Sequence, residues 1–152
     1  MILNMTNGKC VAENAFHAVK FFHRLRGMTG RNFDSKMDAM VFPACNAIHT
    51  FFMKMAIDVI FLDRENRIVK LLRAEPWRMC YSCSKAVCVV ELPAGACEKS
   101  SCAVGDFLDL GAEKTGEGKI RKFVFEDPAP ADLPYAFSSV CHLHHTDPEE
   151  SL

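Results

Sequence analysis

The sequence predicts an α+β fold built on a mainly antiparallel sheet, curved or barrel-like, with one or two short helices. Three observations lead there. The stretch PACNAIHTFFMKMAIDVIFLD, Pro43 to Asp63, is the densest apolar run in the chain, and its halves Ile48 to Phe52 and Ile57 to Leu62 are rich in β-branched and aromatic residues. Asn7-Gly8 and the polar run Arg64 to Arg67 each sit between apolar segments, where hairpin turns belong. A helical stripe is clearest in one segment, starting at Ala15.

In the central stretch, period-two alternation puts His49, Phe51 and Met53 on one face, and sets Ile57, Val59 and Phe61 against Asp58, Ile60 and Leu62. Both faces are largely apolar. The sheet is therefore covered on both sides or rolled into a small barrel, with His49 and Asp58 inside or at a rim. The competing reading is a continuous helix from Ala47 through Leu62, because the run has no breaker and periodicity alone does not separate a buried helix from a buried strand.

In chain order, Ile2 to Thr6 and Lys9 to Ala12 form a hairpin across a two-residue Asn7-Gly8 turn. Asn14 caps a helix from Ala15, with Ala15, Ala18, Phe22 and Leu25 as its apolar stripe and Gly27 as its end. Residues 28 to 40 read as a loop closing over the core. After Asp63, the turn leads into a strand, Ile68 to Arg73, then into the loop AEPWRMCYSCS. Lys85 to Leu92 is a strand ended by Pro93-Ala94-Gly95, Ala96 to Ala103 gives one short helical turn, and Gly105-Asp106 turns into a last strand, Phe107 to Leu110. The composition changes at Gly111. Residues 1–111 are read as one compact domain and 112–152, with four Pro and isolated apolar clusters, as a loosely packed extension.

With 152 residues, 49% of them hydrophobic, one domain can bury a real core. Lys plus Arg number 18 against 19 Asp plus Glu, which favours neither nucleic acid nor an anionic membrane as partner. Lys54 and Asp58 interrupt the best apolar run, so no membrane span is expected. The N-terminus MILNMTNGK lacks the pattern of a secretory signal, and eight Cys are then most simply reduced thiols in a cytoplasm.

Five residues are candidates for lining a pocket at the sheet's mouth: Arg31, Cys45, His49, Asp58 and Trp77. For Arg31 the plain alternative is a surface pair with Asp34 or Asp38. Cys45 and His49 would make a nucleophile and base only if brought within hydrogen-bond reach. A helix would stack them, whereas four extended residues span about 13 Å, so the β-rich composition argues against a local dyad. Asp58, amid Ile57 and Val59, needs a partner such as Lys54, Arg31 or backbone amides. Paired with Asp63 it could serve acid-base work or Mg, but the two lie on opposite faces of a strand. Cys80, Cys83, Cys97 and Cys102 have a spacing that can hold a tetrahedral zinc, although a core strand lies between the two halves. Cys80 and Cys83 alone would be a redox pair, without the βαβ context such sites need. Cys141, His142, His144 and His145 would bind Zn or Ni adventitiously. No cofactor is expected, zinc at Cys80, Cys83, Cys97 and Cys102 being the alternative.

The ordered series RLRGMTGR (24–31), PACNAIHTFFM (43–53), AIDVIFLD (56–63), PWR (76–78) and VVELPAG through VGDFL (89–108) resembles the family known as domain of unknown function 192, over roughly residues 2 to 110. The resemblance implies a small, compact α+β domain with a dominant curved, mostly antiparallel sheet and a short helix. Some such proteins are exported and some cytoplasmic, and no activity comes with the family. This chain departs from the usual pattern in Ala39 where a Gly often stands, in Ala56 where Pro is common, and in the additional Cys83, Cys88, Cys97 and Cys102. The expected function is a non-enzymatic binding or accessory module for a small molecule or a protein. The rival is an enzyme or metal-dependent protein using Cys45 and His49, or the Cys-rich zinc site.

Overall fold

The computed structural model describes residues 1–18, 33–114 and 120–122, with side chains of 112–114 and 120–122 left aside. Its centre is a five-stranded sheet of β3 (Ala15–His17), β4 (Ala39–Pro43), β6 (Ile57–Leu62), β7 (Ile68–Ala74) and β9 (Cys88–Pro93), ordered β3-β4-β9-β6-β7. All neighbours are antiparallel except β3 and β4, which run parallel. Among the described residues β3 and β7 are the sheet's two edges and do not pair with each other, so the sheet is not closed into a barrel; it is covered on both faces.

That covering follows from alternation along buried strands. Every residue of β6 is buried. Ile60 and Leu62 join Val41, Val90 and Leu92 on one face, while Ile57, Val59 and Phe61 join Met40, Phe42 and Val89 on the other. Each such side chain contributes about 1.5–3 kcal/mol on leaving water. The first face is closed by β1 (Ile2–Asn4) and β2 (Cys10–Ala12), by β10 (Leu108–Asp109) and by a helical turn, α1 (Ala96–Lys99). The second meets Met53, Ala86 and the short pair of β5 (Ala47–Ile48) with β8 (Tyr81–Ser82).

Several expectations change. The helix expected from Ala15 is a strand at its start: Ala15 to His17 pair with Ala39 to Val41, a tertiary partner that outweighs the local stripe. The rest of that helix lies outside the described residues. Asn14 does not cap it; Asp38 instead accepts the Glu13 and Asn14 N–H groups, each at 2.7 Å. Ala39 and Met40, read as the end of a loop, begin the strand β4, which lies between β3 and β9. The strand expected over Ile48 to Phe52 stops at Ile48, and Phe51-Phe52 is a turn. No helix spans Ala47 through Leu62.

The first hairpin forms, but its loop is longer than two residues. The Asn4 N–H donates to the Lys9 carbonyl at 2.9 Å, enclosing residues 5–8, and the Asn4 side chain accepts the Thr6 N–H at 3.0 Å while Gly8 takes φ 73. The β6–β7 turn forms as expected, with Asp63 Oδ1 accepting the Arg67 N–H at 2.8 Å and Asn66 left-handed at φ 60. Beyond Gly111, β11 (Ala112–Lys114) and β12 (Ile120–Lys122) pair with each other.

Candidate functional site

Two loops meet at the rim beside β5 and β8, and Thr50 joins them. Its side chain is buried although it stands between aromatic residues, because the backbone around it supplies partners. Thr50 Oγ1 donates to the Glu75 carbonyl at 2.6 Å and accepts the Arg78 N–H at 2.9 Å. The Thr50 N–H donates to the Arg78 carbonyl at 3.0 Å, and its carbonyl accepts the Trp77 N–H at 2.9 Å. The Tyr81 hydroxyl accepts the Glu75 N–H at 3.0 Å, fixing the near end of the second loop.

This network holds Phe52 and Trp77 in left-handed backbone, at φ 61 and φ 63. Such conformations cost a non-Gly residue about 1–3 kcal/mol each. The result is display rather than burial: Phe52 is 65% exposed and Trp77 61%, and their rings meet edge to face with centroids 5.2 Å apart. Phe51 lies 6.4 Å from Phe52, and His49 5.8 Å from Phe51, so four rings run in series along the rim. Met55 and Met79 are exposed on the same two segments. Burial lowers the His49 imidazole, which keeps it neutral near pH 7.

Cys45 lies near this rim on the second face of the sheet, its thiol donating to the Ala47 carbonyl at 3.1 Å. Ala47 and Ile48, between it and His49, are extended in β5, the conformation that spaces residues rather than stacking them. Asp58 leaves the sheet through the other face. Its Oδ2 accepts the Gly95 N–H at 2.8 Å and the Cys97 N–H at 3.1 Å, and its Oδ1 accepts from Arg73 Nε at 3.0 Å. The backbone-amide partners expected for Asp58 are thus present, and Arg73 takes the place of Lys54 or Arg31. Asp63 serves the β6–β7 turn. Arg31 lies outside the described residues, as do Cys141, His142, His144 and His145. Of the five pocket candidates, the structure therefore sets His49 and Trp77 on one aromatic rim, with Cys45 near it, and places Asp58 across the sheet.

The four zinc-spaced cysteines are likewise dispersed. Cys80 is disulfide-bonded whereas Cys83 is a free thiol, so these two are not joined to each other. Cys83 packs on the second face, Cys97 and Cys102 on the first. Among the described residues, no three His, Cys, Asp or Glu side chains stand close enough together to hold a metal ion.

Three residues escaped the sequence reading: Thr50, Arg73 and Glu91. Glu91 is 3% exposed on β9, with Met40 and Val59 as its cross-strand neighbours. Its Oε2 has no hydrogen-bond partner among the described residues, and burial pushes its carboxyl up to about 8. A Glu inside the run VCVVEL is the same signal that singled out Asp58, and it was there to be read.

A mixed open sheet covered on both faces, with an aromatic rim, defines a small α+β domain. The chain belongs to the family described as Uncharacterized ACR, COG1430 (DUF192), whose model matches residues 2–110. It is 35% identical over 118 residues to a UPF0127 protein of Thermococcus sibiricus, covering 75% of this chain and 77% of that one. A second relative, from Pyrococcus furiosus, is 36% identical over 112 residues, 71% of this chain and 96% of its own length. Among solved structures, a protein of unknown function from Novosphingobium aromaticivorans shares the fold at TM-score 0.58 and 16% identity, over 70% of this chain and 81% of that one.

Proposed function

We propose that the chain is a non-enzymatic binding module whose contact surface is the aromatic rim, and that its partner is a protein segment with apolar side chains flanked by carboxylates. One observation carries this reading: Thr50 ties two loops together so that Phe52 and Trp77 stand outward, in backbone that costs energy to hold. Preordered aromatic anchors are the residues that dominate protein interfaces. Side chains more than three-fifths exposed cannot enclose most of a small molecule, as ligand sites do, but they can insert into a partner's pocket. Charge selects the partner's sign, since Lys54 and Arg78 are exposed on the two loops against Glu75 alone.

Trp77 is the chain's single tryptophan, so its emission reports on the surface directly. The test is a titration of the full-length protein with a synthetic peptide alternating Phe or Leu with Glu. A blue shift of Trp77 emission, weakened at least about tenfold by Phe52→Ala, is the expected result. Saturating changes that survive Phe52→Ala, or a poly-Lys peptide binding equally well, would defeat the reading.

Two broader readings go with it. The family match ends at residue 110, which supports taking 1–111 as the domain and 112–152 as an extension. Among the described residues no helix is long and apolar enough to cross a membrane. A cytoplasmic location is supported by the free thiols at Cys10, Cys83, Cys97 and Cys102 and opposed by the disulfide at Cys80.

A further inference from the structure

The helical turn α1 ends in a hydrogen-bond pattern that dictates where two thiols go. The Cys102 N–H donates to the Cys97 carbonyl at 2.9 Å, and the Ser101 N–H donates to the Glu98 carbonyl at 3.0 Å. Ser101 between them is left-handed at φ 52. This six-to-one and five-to-two pairing is a Schellman ending, with Ser101 where Gly usually stands. Such an ending brings the side chain after the left-handed residue against the one five positions earlier, a contact commonly made by two apolar groups.

Here those positions hold Cys102 and Cys97, both free thiols. A 2.9 Å bond between their backbones keeps the Cα atoms within about 7 Å of each other, the outer limit for a disulfide made without moving the chain.

The two sulfurs differ in surroundings. Cys97 is buried; the neighbouring Cys102 thiol, its burial and the Asp58 carboxylate all raise its thiol, so it keeps its proton. Cys102 is half-buried between exposed neighbours, Ser101 and Ala103. The neighbouring Cys97 thiol lowers the Cys102 thiol, against the opposing effect of burial, and Ser100 Oγ at 3.2 Å and Asn4 Nδ2 at 3.8 Å lower it further, while the Asp106 carboxylate opposes them. The Ser100 hydroxyl also donates to the Ala96 carbonyl at 2.7 Å. Cys102 is the sulfur that ionises first and meets solvent.

We propose that Cys102 and Cys97 form a reversible dithiol–disulfide site that reacts with low-molecular-weight disulfides, Cys102 attacking and Cys97 resolving. The Cys102 thiolate attacks one sulfur of R–S–S–R; a protein S–S bond forms, the reagent's S–S bond breaks, and RS⁻ leaves and takes up a proton as RSH. Cys97 then gives up its proton and attacks the Cys102 sulfur, closing the Cys97–Cys102 disulfide and releasing the second RSH. Two protein thiols are oxidised as one small disulfide is reduced to two thiols. A thiol reductant reverses the sequence.

The test exposes the reduced full-length chain to glutathione disulfide near pH 7, quenches with iodoacetamide and maps the peptides by mass. Wild type should yield the Cys97–Cys102 link. Cys97→Ser should trap glutathione on Cys102, and Cys102→Ser should lower glutathione uptake at position 97 by at least about tenfold relative to uptake at Cys102 in the Cys97→Ser chain. A Cys97→Ser chain without glutathione at Cys102, or a wild-type link from Cys102 to another cysteine, overturns the proposal. Should either variant fail to fold, alkylation of the wild-type chain decides. Cys102 is expected to react at least about tenfold faster than Cys97, and equal or reversed rates overturn the assignment.

Discussion

Asp58 and Glu91 sit on neighbouring strands of one sheet, Asp58 opposite Leu92 and Val59 opposite Glu91, and both are 3% exposed. They leave the sheet through opposite faces. Asp58 enters a place where the chain offers three donors: two amides at the start of α1 and the Arg73 guanidinium. Glu91 enters an apolar layer that offers its Oε2 none among the described residues, and its carboxyl is held neutral at physiological pH. Depth is equal; partners decide what each acid does. One anchors a loop, and the other is a latent charge inside the core.

The largest expected effect breaks the Asp58 side of this comparison. Asp58→Ala leaves the Gly95 and Cys97 amides without their acceptor and should cost about 3 kcal/mol in urea unfolding. Arg73→Ala should cost clearly less, because that guanidinium is 49% exposed and its ion pair is screened by water. Equal losses for the two would mean that the ion pair, and not the amides, matters.

Glu91 should show itself as a pH dependence. Its folded carboxyl titrates at about 8, against an ordinary 4.5. Between these values the folded state binds more protons than the unfolded one, so stability is full below the lower value and falls as pH rises through the upper. The slope from this one group is at most about 1.4 kcal/mol per pH unit. Glu91→Gln should flatten it, and an identical profile in that variant would show that Glu91 is already ionised.

Thr50 carries the same lesson into the loops, as a buried hydroxyl with its partners supplied. Thr50→Val should lose about 1–2 kcal/mol and loosen residues 75–79, seen as faster amide exchange there. Smallest of all is Trp77→Ala. The lost edge contact with Phe52, about 0.5–1.5 kcal/mol, should lower the melting temperature by no more than a few degrees. A large drop would make the rim a folding element instead of a contact surface.

What could be read from sequence follows how local each cause is. The β6–β7 hairpin was legible because Asp63 and Asn66 build their own turn, and the strand ended by Pro93 was legible from its apolar run. Asp58's need for amide partners was legible from its neighbours. Arg73 was not, because a bulge between Phe61 and Leu62 shifts the register by one and so sets Arg73 opposite Asp58. β3 was misread because its strand character comes from a parallel partner distant in sequence, and β4 was hidden in a segment of mixed polarity. The rim was half legible: His49 and Trp77 were chosen, but Thr50, which joins their loops, makes its bonds to backbone groups about 25 residues away.

The central claim is that the free protein already holds Trp77 outward and still. Acrylamide quenching combined with emission anisotropy on the full-length chain measures both properties of its single tryptophan. The expected result is ready quenching together with anisotropy that decays only as the whole protein tumbles, and loss of that rigidity in Thr50→Val. A Trp77 shielded from acrylamide, or one that rotates freely in the wild type, would contradict the account.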